Sequence, residues 1–133
     1  MNVLLIEPDQ ILAREYGNAL VSSKIDIRVC SDAQVAIGEV DSKLPDLVVL
    51  EVLLAGHSGI EFLHEFRSYE DWGRVPVIIH SSIPEYSFGV DQKIWDKLGV
   101  IEYFYKPQTS LAQLINAIKA VELVESVSAN QTD

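Results

Sequence analysis

Hydrophobic positions along the chain fall into two alternating kinds of segment. Four short runs rich in Val, Ile and Leu occupy 3–6, 46–52, 75–79 and 100–105, and a weaker one occupies 25–30. Runs that are apolar at consecutive positions suit strands buried on both faces of a parallel sheet. Between them the spacing turns helical. Leu12, Tyr16 and Leu20 recur at fours, with Ile11 and Ala19 widening the stripe. Ala33, Ala36, Ile37 and Val40 share a second face behind an N-cap at Ser31 or Asp32. Ile60, Leu63 and Phe66 follow Gly59 at threes. A fourth helix opens at Pro84, carries Val90, Ile94 and Leu98 on one stripe and stops at Gly99. The last carries Leu111, Leu114, Ile115, Ile118, Val121 and Val124.

Five strands alternating with five helices predict an α/β fold: a single doubly wound (βα)5 domain, a three-layer sandwich around a parallel five-stranded sheet. The domain is expected over 1–127, with a polar, disordered C-terminal tail over 128–133. In such sheets the functional site forms beyond the carboxyl ends of the strands.

Composition removes several function classes. An apolar share of 48% in 133 residues is too high for a disordered chain and suits one core. Twenty acidic residues against ten basic ones leave a net charge of −10, which opposes binding to nucleic-acid phosphates and to anionic lipid. The single cysteine, Cys30, makes neither an internal disulfide nor a multi-thiolate zinc site and reads as a small buried hydrophobe. No charged-then-apolar leader and no membrane-length apolar run is present, so a cytoplasmic protein is expected.

The strand ends carry the chemistry. Glu7-Pro8-Asp9 follows the first strand, Glu51 the third, His80-Ser81-Ser82 the fourth and Lys106-Pro107 the fifth. Acids, hydroxyls and an amine converging at one sheet edge are the groups that hold Mg²⁺ and a phosphoryl group. His57, His64 and His80 fall on a loop, a helix and a strand end and make no metal trio; His80, beside Ser81, is the one placed to titrate near neutral pH. Trp72 sits in the polar stretch 70–73, as a contact residue or as cover for the third helix.

At these positions the chain resembles a response-regulator receiver domain, over about residues 2–125. The segment from Leu44 to Leu50, followed by Leu53 to Leu63, is similar to the receiver's third strand, loop and third helix start. Val75-Pro76-Val77-Ile78-Ile79 with Ser81 resembles its fourth strand and hydroxyl residue, and Tyr103-Phe104-Tyr105-Lys106-Pro107 its fifth strand. The resemblance implies the flavodoxin-like strand order 2-1-3-4-5, a switch aromatic at Tyr103 and a phosphate-binding lysine at Lys106. It also places Glu51 where the family has its phosphoacceptor aspartate, and Pro8 where it has a second metal-binding acid.

Both departures bear on function. The extra methylene of Glu51 shifts the carboxylate by about one bond length, and a misplacement of about 1 Å costs on the order of 10²-fold in rate. Pro8 offers no oxygen, which leaves Glu7 and Asp9 as weak metal candidates, with Asp9 better suited to capping the first helix. The expected reading is a degenerate phosphoacceptor site of Glu51, Ser81 and Lys106, with no catalytic residues and no cofactor beyond weak Mg²⁺. Glu51 is expected to pair with Lys106, as a fixed scaffold or as an imitation of the phosphorylated state. The alternative is a Mg²⁺-dependent receiver phosphorylated on Glu51 or Asp9. A flavin or nucleotide binder is disfavoured because no glycine-rich phosphate loop follows the first strand.

With no output domain in view, such a receiver would act through another chain: a histidine kinase, another regulator or an output protein, with a homodimer as a further option. The mixed charges of Asp91, Lys93, Asp96, Lys97 and Glu102 and the stretch from Gln108 to Glu122 suit a polar, specific contact face, and neither nucleic acid nor membrane is expected as a partner.

Overall fold

Side chains alternate across a strand, so each strand of a sheet covered on both faces feeds two cores. The computed structural model, which describes residues 1–54 and 58–131 with side chains up to Val124, follows that rule. Strands β1 (Asn2–Ile6), β2 (Asp26–Cys30), β3 (Leu47–Leu50), β4 (Val77–Ser81) and β5 (Val100–Tyr105) are all parallel and lie in the order β2-β1-β3-β4-β5. Leu4, Ile6, Val48, Leu50, Val77 and Ile79 enter one core, against Ala36, Val40, Phe62, Phe66 and Trp95. Val3, Leu5, Leu47, Val49 and Ile78 enter the other, against Tyr16, Leu20, Leu114 and Ile118. Helices α1 (Gln10–Ser22) and α5 (Leu111–Gln131) therefore cover one face, and α2 (Ala33–Ser42), α3 (Gly59–Ser68) and α4 (Gln92–Lys97) the other. The register aligns Ile6 with Leu50 and Leu50 with Ile79, so β1 and β3 end level while β4 runs two residues further, to Ser81.

Capping follows the sequence closely. Asp9 accepts the N–H groups of Ile11 and Leu12, Asp32 that of Val35 and Ser58 that of Glu61, each satisfying donors at a helix start. At the amino end of the sheet Arg67, on α3, donates through Nε to Leu98 O (2.8 Å), through Nη1 to Trp72 O (2.7 Å) and through Nη2 to Val75 O. Its guanidinium lies 4.7 Å from the Phe66 ring centre. Gly99 makes room for it: φ is +75°, and a Cβ there would come within 2.1 Å of Arg67 Nη2.

Four details depart from the apolar pattern. Ile11 and Val124 face solvent, at 72% and 65% exposure, because each lies at the margin of its helix's stripe. The region expected as one helix from Pro84 is a 3₁₀ turn at Glu85–Phe88, a left-handed Gly89 and then the six-residue α4. This short helix buries Trp95 and exposes Ile94, since a single indole against Phe88 and Tyr103 fills the space the expected stripe would have filled. Trp72 is buried cover for α3, packed on Phe66 and Tyr69. The expected tail over 128–133 coincides partly with α5, whose backbone continues to Gln131; residues 132–133 and the loop histidine His57 lie outside the described residues.

Candidate functional site

Backbone ladders place four strand ends side by side. Glu7 N donates to Cys30 O and Glu51 N to Ile6 O, so both carboxylate-bearing residues are pinned where β1 and β3 run out. Their side chains are almost wholly buried, and Lys106, just past β5, reaches between them: Nζ lies 2.7 Å from Glu7 Oε1 and 2.8 Å from Glu51 Oε1.

Glu51 collects further donors. Its Oε1 also accepts from Ser82 N at 3.0 Å and Ser82 Oγ at 3.2 Å, and its Oε2 accepts from Leu53 N at 3.1 Å. Burial alone pushes this carboxyl upward. The Lys106 ammonium, the Ser81 hydroxyl and the Ser82 and Leu53 N–H groups outweigh burial, and the pKa ends below its ordinary value. At Glu7 burial prevails over Lys106 and the Asp9 N–H, so that pKa stands above the ordinary carboxylate range. Burial draws the Lys106 pKa down, but its two carboxylate partners raise it above the usual lysine value. The site is a fixed triad: one ammonium, one firmly ionised carboxylate and one that takes up a proton more readily.

The other sequence-selected residues fall around this triad. Ser81 is buried, and its hydroxyl oxygen accepts from Ile83 N at 3.0 Å. The Tyr103 hydroxyl donates to Ile83 O at 2.5 Å, and its ring packs on Trp95 and Phe88. Burial is the main reason the Tyr103 phenol is pushed up to about 12. Asp9 turns to the α1 N-terminus. His80 departs from expectation: it is buried, its Nδ1 lies 2.7 Å from the Tyr16 hydroxyl, and burial, together with the Lys106 charge, lowers its pKa to about 4. It is neutral across the physiological range.

Two roles escaped the sequence. Ser82 clamps Glu51, and the only signal for it was the doubled serine at the end of a buried strand, where the second residue turns toward the sheet edge. Glu7 pairs with Lys106, a contact hidden because the first-strand acids were read only as metal ligands or a helix cap.

The receiver resemblance raised Mg²⁺, and the donor set answers it. A hard cation seeks about six oxygen ligands at octahedral positions. Here the Glu51 oxygens face N–H and O–H donors, Lys106 holds the space between the two carboxylates, Asp9 is engaged at α1 and Pro8 has no side-chain oxygen. Among the described residues no group of three or more His, Cys, Asp or Glu side chains is arranged to hold a metal. The residues present do not fit Mg²⁺.

Comparison with known proteins bears on the family and the fold. The family profile described as "Response regulator receiver domain" matches residues 3–119. The KDP operon transcriptional regulatory protein KdpE of Escherichia coli (strain K12) is 31% identical over 106 residues, covering 80% of this chain and 44% of that protein. The sensory transduction protein RegX3 of Mycobacterium tuberculosis is 29% identical over 120 residues, covering 90% of this chain and 50% of that protein. The chain thus spans half or less of the length of these curated relatives. Among solved structures, a two-component response regulator from Clostridium difficile superposes with a TM-score of 0.75 at 25% identity, over 91% of this chain and 94% of that one. A CheY-like response regulator receiver domain protein from Methanospirillum hungatei reaches 0.80 at 14% identity, over 94% and 96%, a likeness of fold alone.

Proposed function

The chain belongs to the response-regulator receiver family, and on that premise we propose that it is an atypical receiver, acting by protein contact without being phosphorylated. The observation that carries this reading is the occupancy of Glu51: its Oε1 is held by Lys106 Nζ, Ser82 N and Ser82 Oγ together. A carboxylate oxygen serving as acceptor for three donors is a poor nucleophile, since attack on phosphorus would require it to shed them. Phosphoryl transfer also depends on cations neutralising the charge that develops, and the residues here do not fit a divalent ion. Both arguments point away from chemistry at position 51.

The same contacts support a fixed scaffold. Glu51 ties β3 to the segment after β4, Tyr103 ties β5 to Ile83 in that segment, and Lys106 ties the end of β5 to β1 and β3. The surface that such a scaffold presents is the α4–β5–α5 face, from Asp91 to Glu122, where exposed Lys93, Asp96, Lys97 and Glu102 offer mixed charge to a protein partner: a histidine kinase, another regulator or an output protein. Among the described residues no helix is long and apolar enough to cross a membrane. We place its action in the cytoplasm, with residues 1–127 as one domain.

The test is direct. Incubation with acetyl phosphate and Mg²⁺, followed by intact-mass measurement, is expected to leave the mass unchanged. A gain of about 80 Da, one phosphoryl group, that disappears in Glu51→Ala or Asp9→Ala would overturn the reading in favour of a Mg²⁺-dependent phosphorylatable receiver.

A further inference from the structure

Strand β2 closes the sheet on one side, with β1 as its single neighbour among the described residues. Asp26 N donates to Met1 O and Cys30 O accepts from Glu7 N, so residues 26, 28 and 30 turn their backbone groups toward β1. By alternation Ile27 and Val29 turn their N–H and C=O groups outward, to an edge without a strand partner. An apolar groove runs beside this edge. Val21 on α1, Val29 on β2 and Val35 on α2 line it and stand 64%, 49% and 49% exposed. Gly17 lines the same groove from α1, and a Cβ there would meet nothing within 4 Å. Glycine weakens a helix interior, and nothing among the described residues uses the space it leaves. On the α2 side of the edge, Arg28 donates through Nη1 to Glu39 O (2.7 Å) and Glu39 Oε2 (3.1 Å) and through Nη2 to Lys43 O (2.5 Å). Its buried Nε has no acceptor. Asp26, two residues earlier and hence on the same face, is exposed.

We propose that the β2 edge is a self-association surface whose occupant is the β2 edge of a second copy, paired antiparallel about a two-fold axis through Ile27. That axis lets the two Ile27 residues exchange both their backbone hydrogen bonds, and it sets Asp26 of each copy directly across from Arg28 of the other. Opposite charges directly across an antiparallel pair stabilise it, and like charges oppose it. An axis through Arg28 would set guanidinium against guanidinium, and one through Val29 would set Asp26 against Asp32. Charge therefore selects the Ile27 register, which also brings a carboxylate to a guanidinium with one donor unspent. On the opposite face Val29 meets Ile25 of the other copy, and α1 approaches its counterpart along the side that carries Gly17 and Val21. At −10 per chain the association works against long-range repulsion and is correspondingly modest. The proposal goes beyond the functional reading above. β2 and β5 are opposite edges, so both copies keep the Asp91–Glu122 face free, and the pair presents it twice.

Sedimentation equilibrium of the wild-type chain at rising concentration tests it. The apparent mass should climb from 14.8 kDa toward twice that value. Val29→Lys changes a side chain that is already half exposed and should weaken association about tenfold or more. Asp26→Lys and Arg28→Glu should each remain monomeric alone, because each sets like charges across the axis. Mixed in equal amounts they should form dimers, because every new charge then meets its opposite. A wild type that stays monomeric, a Val29→Lys variant that associates as well as wild type, or a mixture that stays monomeric while both variants fold would overturn the proposal. Arg28 also anchors α2, so Arg28→Glu has a second measurement behind it. In a Cys30→Ala background, Ile27→Cys stands on the axis, and mild oxidation should link two chains. A covalent dimer that Val29→Lys suppresses supports the register, and the absence of one overturns it.

Discussion

Two half-buried cations stand at opposite ends of the same sheet, and they are satisfied in opposite ways. Lys106, at the carboxyl end, is held by two carboxylates; Arg67, at the amino end, is held by the backbone carbonyls of Leu98, Trp72 and Val75. Carboxylates titrate and carbonyls do not. The lysine end therefore has a charge balance that responds to its surroundings, while the arginine end is an anchor indifferent to pH. Lysine, a compact ammonium, suits a shared position between point charges; the planar guanidinium fork suits carbonyls that arrive from different directions. One end of the domain gathers groups whose charge can change, and the other only holds strands together.

The contrast can be broken most forcefully at Arg67. Arg67→Ala strands three carbonyls and removes the stem that packs on Phe66, and we expect a loss of about 4 kcal/mol in urea unfolding. That loss should be the same at pH 5.5 and pH 8; a marked pH dependence would dissolve the comparison. Next in size is the acid limb of stability. His80 is neutral in the fold with a pKa of about 4 against 6.5 when unfolded, so the unfolded chain takes up the proton first as pH falls. Stability should drop by about 3 kcal/mol between pH 6.5 and pH 4 from this group, and His80→Gln should flatten that part of the curve. Glu51, whose pKa is lowered in the fold, adds to the loss below its unfolded value, while the raised Glu7 opposes it.

Lys106→Met sharpens the comparison from the other end. It leaves Glu7 and Glu51 buried without their cation, at an expected cost of about 2 kcal/mol at pH 7. That cost should shrink toward pH 4.5, where a proton can replace the ammonium, and a constant cost would show that Lys106 works by packing alone. The smallest effect is expected at Tyr103→Phe, which removes one hydrogen bond to Ile83 O for about 1 kcal/mol and should leave Lys106 and Glu51 undisturbed.

How far these features were legible varied with the physics behind them. Strands were readable because consecutive apolar residues such as Leu47–Leu50 have few alternatives to a sheet buried on both faces; their order came only with the receiver resemblance. The Glu51–Lys106 contact was readable because the receiver resemblance puts the phosphoacceptor position and the phosphate-binding lysine at one site. The pairing of Glu7 with that lysine was not, since the resemblance offers the first-strand acids to a metal and gives no reason to turn one toward the lysine. Residue spacing also misplaced Ile94. In a helix of only six residues, the single large ring of Trp95 decides which side faces the core, against any stripe. His80 looked titratable because sequence carries no measure of depth, and depth is what lowers its pKa.

The guanidinium over Gly99 has a further consequence, for the order in which this chain can change. A side chain at 99 would collide with Arg67 Nη2, and the backbone there is already left-handed. Alanine at 99 is therefore costly while the arginine stands and cheaper after its loss, though never free, because the φ of +75° penalises any Cβ. The two substitutions should be strongly non-additive. Drift through this corner has a preferred sequence of steps, arginine first and glycine second, and a lineage that keeps the one is bound to keep the other.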